Sequence, residues 1–151
     1  MTAPTSQRSE AAQQFTWLLA SFADETPGVR ETVTISASGS LLAMSGDLSR
    51  PDADRLAAIS SAVASLTGGA GRVYQLGQPA KVVVDLDHGY LLVNAIGFGA
   101  MLGVVATKEA SLGDLGYALA IFTNEAAAVL STQLIAELES GLSTRPAANP
   151  T

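Results

Sequence analysis

No cysteine occurs anywhere in the 151 residues. That absence removes a disulfide framework, a thiolate metal site and cysteine catalysis, and it fits a reducing compartment, so a cytoplasmic location is expected. Histidine is nearly as scarce, with one copy at His88, and aromatic residues make up 5% of the chain. Positive charge is thin: 8 Lys and Arg against 14 Asp and Glu leave a formal net charge of −6. The basic side chains of the chain's interior stand singly, at Arg30, Arg50, Arg55, Arg72, Lys81 and Lys108. Nucleic-acid binding needs a basic face that displaces counterions, so no such partner is expected. Apolar runs are strand-length and interrupted by Gly, Asp or Lys, so direct membrane insertion is not expected either. Met1 to Glu10 is polar and contains no apolar h-region, so no secretory signal is read there.

What is present suffices for one sizeable core: 48% of the residues are apolar. Positions 1–8 read as a flexible leader, 9–140 as one domain and 141–151 as a flexible tail. From Ser9, a plausible N-cap, the positions Ala12, Phe15, Leu18, Leu19 and Phe22 fall on one helical face, and Thr26-Pro27-Gly28 ends that helix. Thr32 to Ala37 and Leu41 to Ser45 flank the turn Ser38-Gly39 and form a hairpin. A second helix follows Arg50-Pro51-Asp52 with Ser49 as its N-cap; Leu56, Ile59, Val63 and Leu66 form its apolar stripe, and Gly68-Gly69 is expected to stop it.

Three strands come next, Lys81 to Leu86, Tyr90 to Ile96 and Met101 to Ala106, with a short one expected near Arg72 to Gln75. Their links are too short for parallel crossovers, so they form an antiparallel meander. Val82-Val83-Val84 and Leu91-Leu92-Val93 lack polar alternation, which predicts a sheet covered on both faces. A last helix is expected from about Leu112 to about Leu138. The order is α-β-β-α-β-β-β-α, an α/β (α+β) fold whose five-stranded antiparallel sheet lies between helices.

Catalytic signals are sparse. His88 stands beside Asp85 and Asp87, the residue types of a metal or acid–base site, yet Asp87-His88-Gly89 is also an ordinary hairpin turn, and the turn is the preferred reading. Gly68-Gly69-Ala70-Gly71-Arg72 lacks the Lys-Ser/Thr ending of a phosphate loop and follows a helix where such a loop precedes one. No Gly-x-Ser-x-Gly elbow is present. Trp17, Tyr74, Tyr90 and Tyr117 are expected in core or rim packing. Neither an enzyme nor a cofactor is implied. One feature stands out: beside the apolar stripe of the second helix runs a strip of small residues, Ala53, Ala57, Ser60 and Ala64. Small side chains let helices approach closely, so this strip is a candidate dimer seam.

Several segments resemble bacterial roadblock (dynein light-chain type) domain proteins. They are Phe15-Thr16-Trp17-Leu18-Leu19, Thr26-Pro27-Gly28-Val29, the hairpin from Ile35 to Ser45, the run Ala53-Asp54-Arg55-Leu56-Ala57-Ala58-Ile59-Ser60-Ser61, and Leu112-Gly113-Asp114-Leu115-Gly116-Tyr117. The resemblance spans Phe15 to Leu138 and is nearest to the short roadblock proteins of conservon operons. It implies a roadblock/profilin-like fold and a homodimer in which the middle helices pack together and the third strands, here Lys81, Val82, Val83 and Val84, extend the sheet across the two-fold. It also implies a small Ras-like GTPase as partner, with this chain acting as regulator, platform or stimulator of hydrolysis, and a sensor-kinase-like protein of the same operon nearby. On such a dimer Arg50, Asp52, Asp54 and Arg55 form the candidate GTPase contact, and Arg72 joins Arg50 and Arg55 as a possible source of an arginine finger. Ser38-Gly39 stands where Asp-Gly is usual, and Phe98 occupies a loop that is more often polar. A small-ligand sensory module of similar architecture is the alternative.

Overall fold

The computed structural model describes residues 9–45 and 47–143. The elements are α1 (Glu10–Glu25), β1 (Val29–Ile35), β2 (Leu41–Met44), α2 (Arg50–Val73), β3 (Lys81–Leu86), β4 (Gly89–Gly97), β5 (Ala100–Thr107), α3 (Leu112–Val129) and α4 (Thr132–Ser143). The strands form one sheet in the order β2-β1-β5-β4-β3, with every neighbouring pair antiparallel. The expected fold class is the observed one. Serine caps set the helix starts: the Ser9 hydroxyl accepts from the Ala12 amide, and that of Ser49 accepts from the Asp52 amide.

The helices divide unequally between the two faces. α1, α3 and α4 cover one face, where Phe15, Leu19, Leu115 and Leu119 pack over Leu92, Leu102 and Val104. Phe122 ties α1 to α3, its ring 6.2 Å from that of Phe15 and 5.4 Å from that of Phe22. α2 covers most of the other face, burying Ala53, Leu56 and Ala57 against Val33, Ile35 and Leu41.

Three local expectations are corrected. α2 does not stop at Gly68-Gly69 but runs to Val73, which removes the short strand expected at Arg72 to Gln75. Glycine there serves close approach: a Cβ on Gly71 would overlap the Gly77 carbonyl as the chain folds back, and Gln75 turns it with a left-handed φ of 58°. The single last helix is in fact two, bent by 97° between α3 and α4. Leu130 leaves the helix in extended conformation, and the Ser131 hydroxyl caps the new start by accepting from the Leu134 amide. Finally, α4 continues to Ser143, past the expected start of the tail at 141; the leader, 1–8, and positions 144–151 lie outside the described residues.

The α3–α4 bend carries the last helix round one edge of the sheet. Leu134 and Leu138 belong to the core under α1 and α3, whereas Leu142 packs against the core under α2. The Arg50 guanidinium fixes this end, donating to the Leu142 carbonyl at 3.2 Å and to Asp54 Oδ1 at 3.1 Å. The β2 edge is thereby covered while the β3 edge stays open.

Candidate interaction surface

α2 determines which residues a partner can meet. Ala53 and Ser60 are 0% exposed, and Ala57 is buried with them against the chain's own sheet. Ser60 sits directly over Gly103 of β5, where any Cβ would overlap its hydroxyl. The small-residue strip therefore permits the close approach it suggested, but the approach is between helix and sheet within one chain. The expectation that Ala53, Ala57 and Ser60 form a seam with a second helix is corrected on this ground. Ala64, farther along, is half-buried and lines an open cleft of about 500 Å³ together with Ala37, Ser61, Ser65 and Met101.

With the small residues turned inward, the larger ones turn outward. Ile59 is 45% and Leu66 76% exposed, Val63 is half-buried beside them, and Val73, Tyr74 and Leu76 extend the apolar surface past the end of the helix. Burying a side chain of this size is worth about 1.5–3 kcal/mol, so this stripe is a substantial unfilled surface. The periodicity of Leu56, Ile59, Val63 and Leu66 was legible in the sequence; the direction in which it points was not. Of the four, only Leu56 reaches the core.

β3 adds a second unfilled surface. Lys81 and Val83 are exposed and Val82 and Val84 half-buried, so the apolar strand expected to be covered on both faces is only partly covered on the α2 side and open on the other. Val83 shares the face of Leu92, its partner in β4, while Val82 and Val84 share that of Val93 and Leu91. The outer edge of β3 presents unpaired backbone groups, a template for another strand.

The four charged residues at the start of α2 are not equivalent. Arg50 and Asp54 are engaged in holding α4. Arg55 and Asp52 form an exposed pair at 2.9 Å, free to exchange it for a partner. Arg72 is exposed near the far end of the helix, more than four turns away along its axis.

The turn between β3 and β4 holds no built chemical site. His88 and Asp87 are exposed, and Asp85 pairs with Lys108, whose ammonium also lies 4.2 Å from the centre of the Tyr90 ring. The hydrogen bond to Asp85 is the main cause that holds the Lys108 pKa above its ordinary value, against partial desolvation. Among the described residues no group of three His, Asp or Glu side chains is placed to hold a metal ion. Nor is any single helix there long and apolar enough to cross a membrane.

Comparison with known proteins agrees with this architecture. Residues 15–106 match the Roadblock/LC7 domain family. A Roadblock/LC7 domain from Streptomyces avermitilis is 33% identical over 73% of this chain and 92% of its own, with a TM-score of 0.68. The gliding protein MglB of Thermus thermophilus shares the fold at 22% identity, covering 81% of this chain and 92% of that one, with a TM-score of 0.72. MglB in a tetrameric arrangement shares it at 21% identity, covering 87% and 94%, with a TM-score of 0.71. No curated protein matches the chain. The chain belongs to the Roadblock/LC7 domain family.

Proposed function

We propose that this protein is a homodimeric, non-catalytic regulator or adaptor that binds a small Ras-like GTPase in a bacterial signalling system of the conservon type. The observation that carries the reading is the outward apolar stripe Ile59, Val63 and Leu66 on α2, on the same chain as the open β3 edge. A two-fold-related second copy offers the same pair of surfaces, so each chain fills what the other leaves open. Lys81 to Val84 then pair with their counterparts, and the α2 stripes meet each other. This seam replaces the one built on Ala53, Ala57 and Ser60.

The GTPase contact follows from that assembly. Arg55 and Asp52 project from the start of α2, and the dimer presents them twice on one broad surface carrying both signs of charge. Such a surface orients a partner and speeds its encounter without much apolar exposure. Family membership supports a GTPase as that partner, and a sensor-kinase-like protein of the same operon is the source of the signal. Whether the chain speeds GTP hydrolysis or only holds the GTPase is decided by single-turnover hydrolysis of the operon's GTPase with and without it. Binding with faster hydrolysis identifies an activator, binding alone an adaptor, and no binding contradicts the reading.

A further inference from the structure

The face opposite α2 has a character that dimerisation and GTPase binding leave unused. Trp17 is 65% and Tyr117 71% exposed, and Ile121 stands exposed one turn beyond Tyr117. Core or rim packing is the sequence expectation for both aromatics; they are instead the outermost large side chains of α1 and α3. Trp17 follows the buried Phe15 by two residues and Tyr117 follows the buried Leu115 by two, so each points about 200° away from the core side of its helix. Because Phe122 locks α1 beside α3, the three side chains belong to one outer surface.

Charge is segregated onto the same surface. Glu10, Asp24, Glu25, Asp114 and Glu125 are all exposed on α1 and α3, and neither helix carries a Lys, Arg or His. On the opposite face α2 alone holds three arginines, Arg50, Arg55 and Arg72. Single exposed apolar residues are commonplace, but a tryptophan, a tyrosine and an isoleucine framed by charge of one sign make a specific chemical match. Aromatic anchors supply affinity, and the surrounding carboxylates select partners by sign and speed their arrival.

We propose that the outer surface of α1 and α3 is a second docking site, for a cationic amphipathic segment of a partner protein. Anionic membranes and nucleic acids are repelled by the same field that attracts such a segment. The site lies across the sheet from α2, so it remains open when the α2 surface is occupied, and one dimer then bridges two different proteins.

Trp17 is the only tryptophan in the chain, so its fluorescence reports on this surface alone. The full chain is titrated with a short amphipathic Lys/Leu peptide and, separately, with its Glu/Leu counterpart. The expected result is a saturable blue shift with the cationic peptide only, weakened by added salt. The pair Tyr117→Ser and Ile121→Ser, with an unchanged melting temperature, is expected to weaken it about tenfold, as is the pair Asp114→Lys and Glu125→Lys; Asp52→Asn on the other face leaves it unchanged. An absent or non-saturable shift, an equal response to the anionic peptide, indifference to the α3 variants, or a shift with phosphatidylserine vesicles instead of the peptide each overturns the proposal.

Discussion

The Ser60 hydroxyl occupies the space that a Cβ on Gly103 would fill, and this approach, with the burial of Ala53, Leu56 and Ala57, seats α2 on the sheet with Ile59 and Leu66 outward. Gly103→Ala forces the helix and strand apart. The expected cost is about 1–3 kcal/mol, the usual range for overpacking a filled core. Ser60→Ala in that background removes the overlapping oxygen and recovers much of the loss, so chemical denaturation of the two singles and the double should show strong coupling. Additive effects would mean that the two residues do not meet.

The orientation of α2 separates two kinds of substitution. Leu66→Arg and Ile59→Arg alter the outward stripe and are expected to give folded monomers. Ala57→Arg places a charge against the chain's own sheet and is expected to unfold the protein, at a cost above about 3 kcal/mol. Light scattering together with circular dichroism distinguishes the two; a folded monomer from Ala57→Arg would restore the small-residue strip as the seam.

Arg50 holds the last helix against the start of α2 through the Leu142 carbonyl and Asp54. Arg50→Ala is expected to cost about 0.5–1.5 kcal/mol, the net worth of such a bond. The loss should be local: amide exchange quickens in the final turns of α4 while the centre of the sheet keeps its protection. Unchanged exchange in α4 would contradict the latch.

Lys108 gives a pH signature of known sign. Its folded pKa is raised above the ordinary 10.5, chiefly by the hydrogen bond to Asp85. A raised pKa means the charged form is favoured by folding, so the contribution is complete below 10.5 and fades as the pH climbs through the folded value. The group is exposed and the effect is small. The melting-temperature difference between wild type and Lys108→Met should be constant from about pH 7 to 9 and shrink in stronger alkali; a difference that grows there would reverse the assignment.

How much of this was legible in the sequence varied with the range of the interactions. Ser9 and Ser49 mark their helices because capping is a matter of three residues, and the meander from Lys81 to Thr107 follows from link length alone. Ser131 carried the same local signal for the break before α4, but it sat inside a run whose apolar spacing continued on either side. The facing of α2 was not legible. Small residues mark a close approach without naming what approaches, and only the sheet, by placing Gly103 under Ser60, identifies it. Gly68-Gly69 misled because glycine often ends helices yet is also carried inside them; a Cβ at either position would meet only the Arg72 side chain, at ordinary contact distance. The exposure of Trp17 and Tyr117 also escaped, because a lone aromatic beside a core position carries no sign of its direction.

Calorimetry shows whether this chain recognises a GTPase without itself binding nucleotide. The purified protein is titrated with the Ras-like GTPase of its own operon, loaded with a non-hydrolysable GTP analogue, and in a separate cell with the analogue alone. Saturable heat is expected with the loaded GTPase and none with free nucleotide, and Arg55→Glu is expected to lose affinity measurably with the dimer and melting temperature intact. No heat with the GTPase, or saturable binding of free nucleotide, would contradict the proposed function.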